Sequence, residues 1–427
     1  MDSFIIKGQN KLQGTVKVSG AKNAILPIMI ASLLTSGKSI LTNVPSLNDL
    51  KNTAHLLRFL GAKVETELDQ MAIDTVAVHH YVAPYELVNK MRASIYVLGP
   101  LLARFKYAEV ALPGGCAIGT RPVDLHLMAM EKLGAKIKIE HGYISAECPD
   151  GLRGGIIEFP FITVGATANC LMAAVLAKGE TLIKNTAQEP DIDSLIDCLI
   201  LMGAKIEKIN KNDLHVIGVD ELKPFTMEMI PDRIEAGTLL LAAAITKSSI
   251  TITNCEPNHL EALLIKMEQA GCRFEISSSL QGDIKQKKAN QIKIHPAVSI
   301  NPVDIVTEPY PGFPTDLQAQ FLAYLCLARG KSHIKETIFP DRFMHVSELN
   351  RLGADIHVKD GMAIINGVSG FSGAEVMATD LRASATLVLA GLAAEGTTKI
   401  SRIYHIDRGY EKIEQKLNNL GADIKRC

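Results

Sequence analysis

One pattern of apolar and polar positions recurs six times along this chain. A stretch with apolar residues at helical spacing ends on a glycine, and a strand of alternating apolar and polar residues follows. The copies read LGAKVETE at Gly61, LGAKIKIE at Gly134, MGAKIEKI at Gly203, AGCRFEIS at Gly271, LGADIHVK at Gly353 and LGADIKRC at Gly421. Successive glycines lie 73, 69, 68, 82 and 68 residues apart, near-equal intervals that mark an internal repeat. Each glycine predicts a left-handed cap that stops its helix. The longest interval contains SSSLQGDIKQKKANQ, a polar insertion read as an extended loop.

Each repeat also carries a second kind of helix. ATANCLMAAVLAKG, AGTLLLAAAITK and ASATLVLAGLAAEG are apolar nearly all round, which predicts burial against several neighbours. The β-branched runs ETLIKNT, SSITITNC and TTKISRI follow them. The predicted unit is strand, helix, strand, helix, strand, and the fold class is α/β. Units of this length are too small for independent domains and too long for solenoid repeats, so three per lobe is the economical packing. The strand SFIIKGQ has no helix ahead of it, and the last repeat runs out at Cys427 without a final strand. The two ends are therefore expected to pair, and MIPDRIEAG reads as a crossover. This gives an N-terminal lobe, 22–230, and a discontinuous C-terminal lobe, 1–21 plus 231–427. A cleft between two such lobes is the expected place for a ligand, and two crossings allow it to close.

Composition narrows the function. Hydrophobic residues make up 47% and charged residues 21%, ordinary for a globular protein. The net charge of −1 offers no global field for a nucleic acid or a membrane surface. The lack of tryptophan argues against a base-stacking platform. The start, MDSFIIKGQNKLQG, lacks the basic and apolar regions of a signal peptide, and no uninterrupted apolar run is long enough to span a bilayer. The expected location is cytoplasmic. Eight cysteines stand at 116, 148, 170, 198, 255, 272, 326 and 427 with no CxxC, and HExxH does not occur. The expectation is no metal, no disulfide and no cofactor. Neither a Walker A loop nor a GxGxxG after a strand is present.

The segments that break the repeat carry the candidate chemistry. In SGAKNA, Lys22 and Asn23 stand where an apolar helix begins, a place that favours anions; the plain alternative is a solvated turn lysine. MRAS and LRAS place Arg92 and Arg382 in equivalent positions before apolar helices. An arginine there needs an anionic partner, and Asp380 is the nearby candidate for Arg382. Asp316 in FPTDLQAQF and Asp407 in HIDRGYE could each cap a helix, whereas Arg408 has no capping role. The loop LPGGCAIGTRPVDLH sets Cys116 among Gly114, Gly115 and Gly119, between Pro113 and Pro122, with Arg121 close behind. A thiol there can be a nucleophile, a proton donor or an incidental turn residue. His126 falls beyond the loop, in a predicted helix. Together these residues point to an enzyme acting on small phosphorylated substrates.

At SGAKNA, MRAS, LPGGCAIGTRPVDLH, VGAT, PDRIEAGT, FPTDLQAQF, RFMHV, MATDLRAS and IYHIDRGYE, essentially over its whole length, the chain resembles the enolpyruvyl transferase family. Within it, the chain resembles the branch that acts on UDP-N-acetylglucosamine in peptidoglycan synthesis. The resemblance implies an inside-out α/β barrel of six units in two lobes. It implies addition of the sugar 3′-hydroxyl to C2 of phosphoenolpyruvate with protonation at C3, then loss of phosphate. Asp316 would accept the hydroxyl proton, and Cys116 would donate at C3 or act in product release and be the thiol alkylated by fosfomycin. Lys22, Arg121 and Arg408 would hold the phosphate and carboxylate, with Asn23 and Arg92 beside them and Arg382 near the carboxylate. Arg121, Pro122, Val123, Asp124, Leu125, Thr163, Val164 and Ile338 would hold the nucleotide sugar. Two positions depart from the family: Phe161 and Asn48 stand where it often has lysine, which bears on nucleotide-sugar affinity. The alternatives are the sister shikimate 3-phosphate enzyme, which lacks the PGGC loop, an RNA 3′-phosphate cyclase, which needs a catalytic histidine and a basic groove, and a binder that has lost activity.

Overall fold

All six repeat glycines take positive φ, between 94° and 109°. Each closes its helix in the same way. At Gly134, for example, the amide donates to the Glu131 carbonyl at 2.9 Å and the next amide, Ala135, donates to Met130 at 3.0 Å. A side chain at such a φ would cost about 1–2 kcal/mol, so glycine is the residue the cap calls for. In this structure, a computed structural model, the described residues are 2–89, 91–113, 123–278 and 290–427.

The repeat has six elements rather than five. One copy runs strand Ile305–Val306, helix Thr315–Leu325, strand Lys331–Lys335, helix His345–Arg351, then a hairpin of Asp355–Lys359 and Met362–Asn366. The hairpin turn is Asp360-Gly361, both at positive φ, which matches a two-residue type I′ connection. Each repeat builds one four-stranded sheet, and the six sheets share one order. In this copy Ile305–Val306 pairs parallel with Lys331–Lys335, and the remaining pairs are antiparallel. The polar insertion is not loop throughout, because Ser277 and Ser278 pair with Gln291 and Asn290 at the end of a hairpin nearest its connection; 279–289 lie outside the described residues.

The described residues fall into two units, one from 20–230 and one from 1–19 with 231–427. The chain ends complete one sheet of the second unit: Ser3–Lys7 lies antiparallel between Thr397–Ser401 and Asp423–Arg426. Two further strands serve a repeat distant in sequence. Gln13–Lys17 pairs with Ser249–Thr253, and Thr226–Glu228 pairs with Lys38–Thr42, both in parallel. The chain thus passes between units twice, at 19–20 and 230–231. Only glycine fits at position 20, where a Cβ would stand 1.9 Å from the Asn43 carbonyl oxygen.

Six apolar helices form the centres of the units. In 20–230 they are α1 (Lys22–Ala31), α2 (Leu98–Phe105, preceded by the 3₁₀ turn Arg92–Val97) and α3 (Val164–Ala174). In the other unit they are α4 (Arg233–Ile245), α5 (Thr315–Leu325) and α6 (Leu381–Ala393). Residues 234–245 of α4 are buried on every face, because α4, α5 and α6 pack on one another and the sheets lie outside them. In the first unit α2 packs on α3, and α1 reaches α3 and the 3₁₀ turn. Truncating a side chain such as the fully buried Leu240 to alanine would cost about 2–5 kcal/mol. No described helix is long and apolar enough to cross a membrane.

Candidate active site

Four of the charged residues singled out in the sequence, Lys22, Arg92, Asp316 and Arg382, lie at or just before the N-terminal ends of inner helices. In the first unit Lys22 opens α1. It is buried, not a solvated turn residue, and its Nζ donates to Asp49 Oδ2 at 3.1 Å. Asp49 lies in the first turn of the helix Asn48–Phe59 and is also buried. From that helix the Thr53 hydroxyl reaches the sulfur of Met91, the neighbour of Arg92. Arg92 begins the 3₁₀ turn that leads into α2, just as Arg382 stands at the start of α6. Asn23 follows Lys22 in the first turn of α1.

Five of the nucleotide-sugar candidates, Val123, Asp124, Leu125, Thr163 and Val164, lie in the same unit. Val123 precedes the helix Asp124–Lys132, and Asp124 and Leu125 are its first residues. Thr163 caps α3, its hydroxyl accepting from the Ala166 amide at 3.4 Å, and Val164 follows. A Cβ on Gly165 would come within 3.1 Å of the His126 ring and 3.7 Å of the Tyr96 ring, so these segments are in contact. Burial, reinforced by the Arg92 cation, pushes His126 down to about 4. It is neutral, and one ring nitrogen meets the Asn169 amide at 3.1 Å. Phe161 is exposed and Asn48 half-buried. Cys116, Arg121 and Pro122 lie outside the described residues.

In the second unit Asp316 does not cap its helix. Pro314 holds the cap position of α5, and the Asp316 carboxylate lies between two arginines. Arg342 Nη1 reaches Oδ1 at 2.9 Å and Arg382 Nη2 reaches Oδ2 at 2.6 Å. The side chains of Arg342 and Arg382 are 7% and 6% exposed, that of Asp316 25%, so the carboxylate is the accessible member of the trio. Asp380 is not the partner of the Arg382 guanidinium. It caps α6, accepting from the Arg382 and Ala383 amides at 2.7 and 3.0 Å. A short side chain one residue before a helix reaches those free amides more easily than a distant guanidinium. Burial alone would lower the Arg382 pKa; the Asp316 carboxylate more than reverses this, and the net shift is upward. Asp407 likewise does not cap the next helix but forms a two-pronged ion pair with Arg426, at 3.0 and 2.6 Å. Arg408 ends the 3₁₀ turn Ile403–Arg408, where its charge and burial both lower the pKa of His405, burial more strongly.

Ile338 is tied to the same group. Its amide donates to Glu336 Oε1 at 2.8 Å, while Glu336 Oε2 accepts from the Thr315 hydroxyl at 2.9 Å. Thr315 in turn accepts from Arg342 Nη1 at 3.0 Å. His345, buried near Arg342 and Asp380, is pushed down to about 4, chiefly by burial. Sequence reading did not single out Asp49, Glu336 or Arg342. The segment RFMHV carries part of the family resemblance, but nothing local says that Arg342 turns toward Asp316.

Chemically, the second unit offers an accessible carboxylate oriented by two buried guanidiniums, able to take a proton from a hydroxyl beside donors suited to a carboxylate or phosphate. The first offers a buried lysine at a helix start. Among the described residues no group of three metal-ligating side chains occurs. Six described cysteines are buried, and burial raises the thiol pKa of each, Cys255 to about 12.

The family described as EPSP synthase (3-phosphoshikimate 1-carboxyvinyltransferase) matches residues 6–417 of the chain. The UDP-N-acetylglucosamine 1-carboxyvinyltransferases of Trichlorobacter lovleyi and Sulfurovum sp. are each 53% identical to it, over 100% of this chain and 99% of theirs. That of Desulfosudis oleivorans is 51% identical with the same coverage. Among solved structures, the enolpyruvyl transferase NikO from Streptomyces tendae superposes with a TM-score of 0.88 at 24% identity, over 100% of this chain and 98% of that one. EPSP synthase from Acinetobacter baumannii gives 0.78 at 18% identity, with both chains fully covered. At those identities the likeness is one of fold, the inside-out α/β barrel, in which helices form the core of each three-repeat unit and sheets its outside.

Proposed function

The chain belongs to the EPSP synthase family of enolpyruvyl transferases, and from this premise we infer that it transfers the enolpyruvyl group of phosphoenolpyruvate to the 3′-hydroxyl of UDP-N-acetylglucosamine. Phosphate is released, and the reaction is the first committed step of peptidoglycan synthesis. The observation that carries this reading is full-length identity of 51–53% to relatives named for that acceptor, against 18% to the solved shikimate-branch enzyme. The PGGC loop, from Pro113 to Cys116, supports the same choice.

The hydroxyl oxygen attacks C2 of phosphoenolpyruvate while Asp316 takes its proton and C3 is protonated. The C3 proton is then lost as the C2–O bond to phosphate breaks, leaving the enolpyruvyl ether. Asp316 suits the first step because its carboxylate is partly exposed while its two arginines are buried and fix its orientation. Cys116 is assigned the proton transfer at C3, by its place in the loop. Lys22, Arg121 and Arg408 hold the phosphate and carboxylate and stabilise the charge that develops there. Asn23 and Arg92 lie beside Lys22, and Arg382 serves the carboxylate. Arg121, Pro122, Val123, Asp124, Leu125, Thr163, Val164 and Ile338 bind the nucleotide sugar. Residues 22–230 are assigned to one lobe and 1–21 with 231–427 to the other, in the cytoplasm.

The test is phosphate release. It should require phosphoenolpyruvate and UDP-N-acetylglucosamine together, and shikimate 3-phosphate should not replace the sugar nucleotide. Turnover with shikimate 3-phosphate alone as acceptor would assign the chain to the sister activity.

A further inference from the structure

The phenol of Tyr410 has no part in the chemistry above, yet all three inner helices of its unit meet at its oxygen. Tyr410 is 1% exposed. Its hydroxyl lies 2.9 Å from Thr238 Oγ1 on α4, 3.2 Å from Gln320 Nε2 on α5 and 3.2 Å from Arg382 Nη1 on α6. The hydrogen bonds can be assigned by counting. The Thr238 hydroxyl spends its one hydrogen on the Ile234 carbonyl at 2.8 Å. The hydrogen shared with Tyr410 is therefore the phenol's, and Tyr410 accepts from Arg382 and shares with Thr238 Oγ1, also at 3.2 Å, the Gln320 hydrogen that does not go to Asp316.

Both groups that donate to Tyr410 also hold Asp316. Arg382 gives its other terminal nitrogen to the Asp316 carboxylate at 2.6 Å. Gln320 donates to the Asp316 backbone carbonyl at 3.0 Å. Arg382 and Gln320 are themselves buried, so neither finds water if the phenol oxygen is removed. We propose that Tyr410 is a positioning residue for Asp316, fixing the carboxylate through Arg382 and the backbone of α5 through Gln320.

This rests on the reading of Asp316 as the base, and the experiment separates the two. Tyr410→Phe removes one oxygen and keeps the ring. In the full chain it should lower kcat about 10- to 100-fold, the range typical when an outer partner of a functional group is lost. KM for UDP-N-acetylglucosamine should stay within about threefold, since nucleotide contacts lie elsewhere. Gln320→Met breaks the second arm alone and should give a smaller loss. The double variant should lose less than the product of the two, because both act through one carboxylate. A kcat for Tyr410→Phe within about twofold of the unaltered chain would overturn the proposal. So would strictly multiplicative losses, or a loss seen only in melting temperature. If Tyr410→Phe does not fold, Gln320→Met decides alone: unchanged kcat overturns the proposal. Turnover by the unaltered chain tests the functional reading, and only the ratios between variants test the role of Tyr410.

Discussion

Inner helices of both units carry charged residues at or just before their starts, but the two units hold those charges differently. In 20–230 the cation opens the helix: Lys22 starts α1 and is met by the Asp49 carboxylate from an outer helix. In the other unit the anion lies in the first turn of α5: Asp316 is gripped by Arg342 and by Arg382 at the start of α6. Repetition supplies comparable places at the helix N-termini, and the residues that occupy two of them, Lys22 and Asp316, carry opposite charge. On the proposed function, Lys22 would help to hold phosphate or carboxylate and Asp316 would receive a proton, as an addition–elimination reaction needs.

The comparison breaks most visibly at Asp316. Asp316→Asn keeps the shape and removes the base, and kcat for phosphate release should fall about 10²- to 10⁴-fold, the usual contribution of a general acid or base. At Lys22 the expected effect is on stability as well as activity. Lys22→Met leaves the Asp49 charge buried without its lysine and should cost about 3–5 kcal/mol in denaturant unfolding. Lys22→Met with Asp49→Leu should recover most of that stability while remaining inactive. Recovery of activity in the double variant would mean that Lys22 is structural only.

A smaller effect should appear in both units alike. His126 and His345, one in each, are held neutral by burial, each with a pKa pushed from 6.5 to about 4. In the unfolded chain each takes up its proton near pH 6.5, so the unfolded state binds more protons between about pH 6.5 and 4. Their contribution to stability is present above pH 6.5 and is lost as pH falls through that window. Melting temperature should drop accordingly, and His126→Gln with His345→Gln should flatten the change. An unaltered pH profile in the double variant would show that these side chains keep their ordinary pKa when folded.

The repeat was legible because its signals are local. A glycine at positive φ after a helix, an alternating strand and an all-apolar helix each leave a mark within about ten residues. The second strand of each hairpin was overlooked although Asp360-Gly361 carries a turn signature, because the alternating run before it drew the assignment. The ion pairs were harder to foresee. Asp380 is two residues from Arg382 and Asp316 is 66 away, yet Arg382 pairs with Asp316, since Asp380 is used by the amides of its own helix. Motif likeness named Asp316, Lys22 and Arg382. The roles of Asp49, Arg342, Glu336 and Tyr410 depend on helices brought together from separate repeats, which no single stretch of sequence encodes.

The account depends most on Asp316 acting in chemistry rather than in holding the acceptor. The direct measurement is calorimetric titration of UDP-N-acetylglucosamine into the Asp316→Asn variant beside its turnover. The predicted result is a Kd within about threefold of the unaltered chain while turnover is lost. A Kd weakened by the same factor as turnover would contradict the account, since Asp316 would then be a binding group and the base would lie elsewhere.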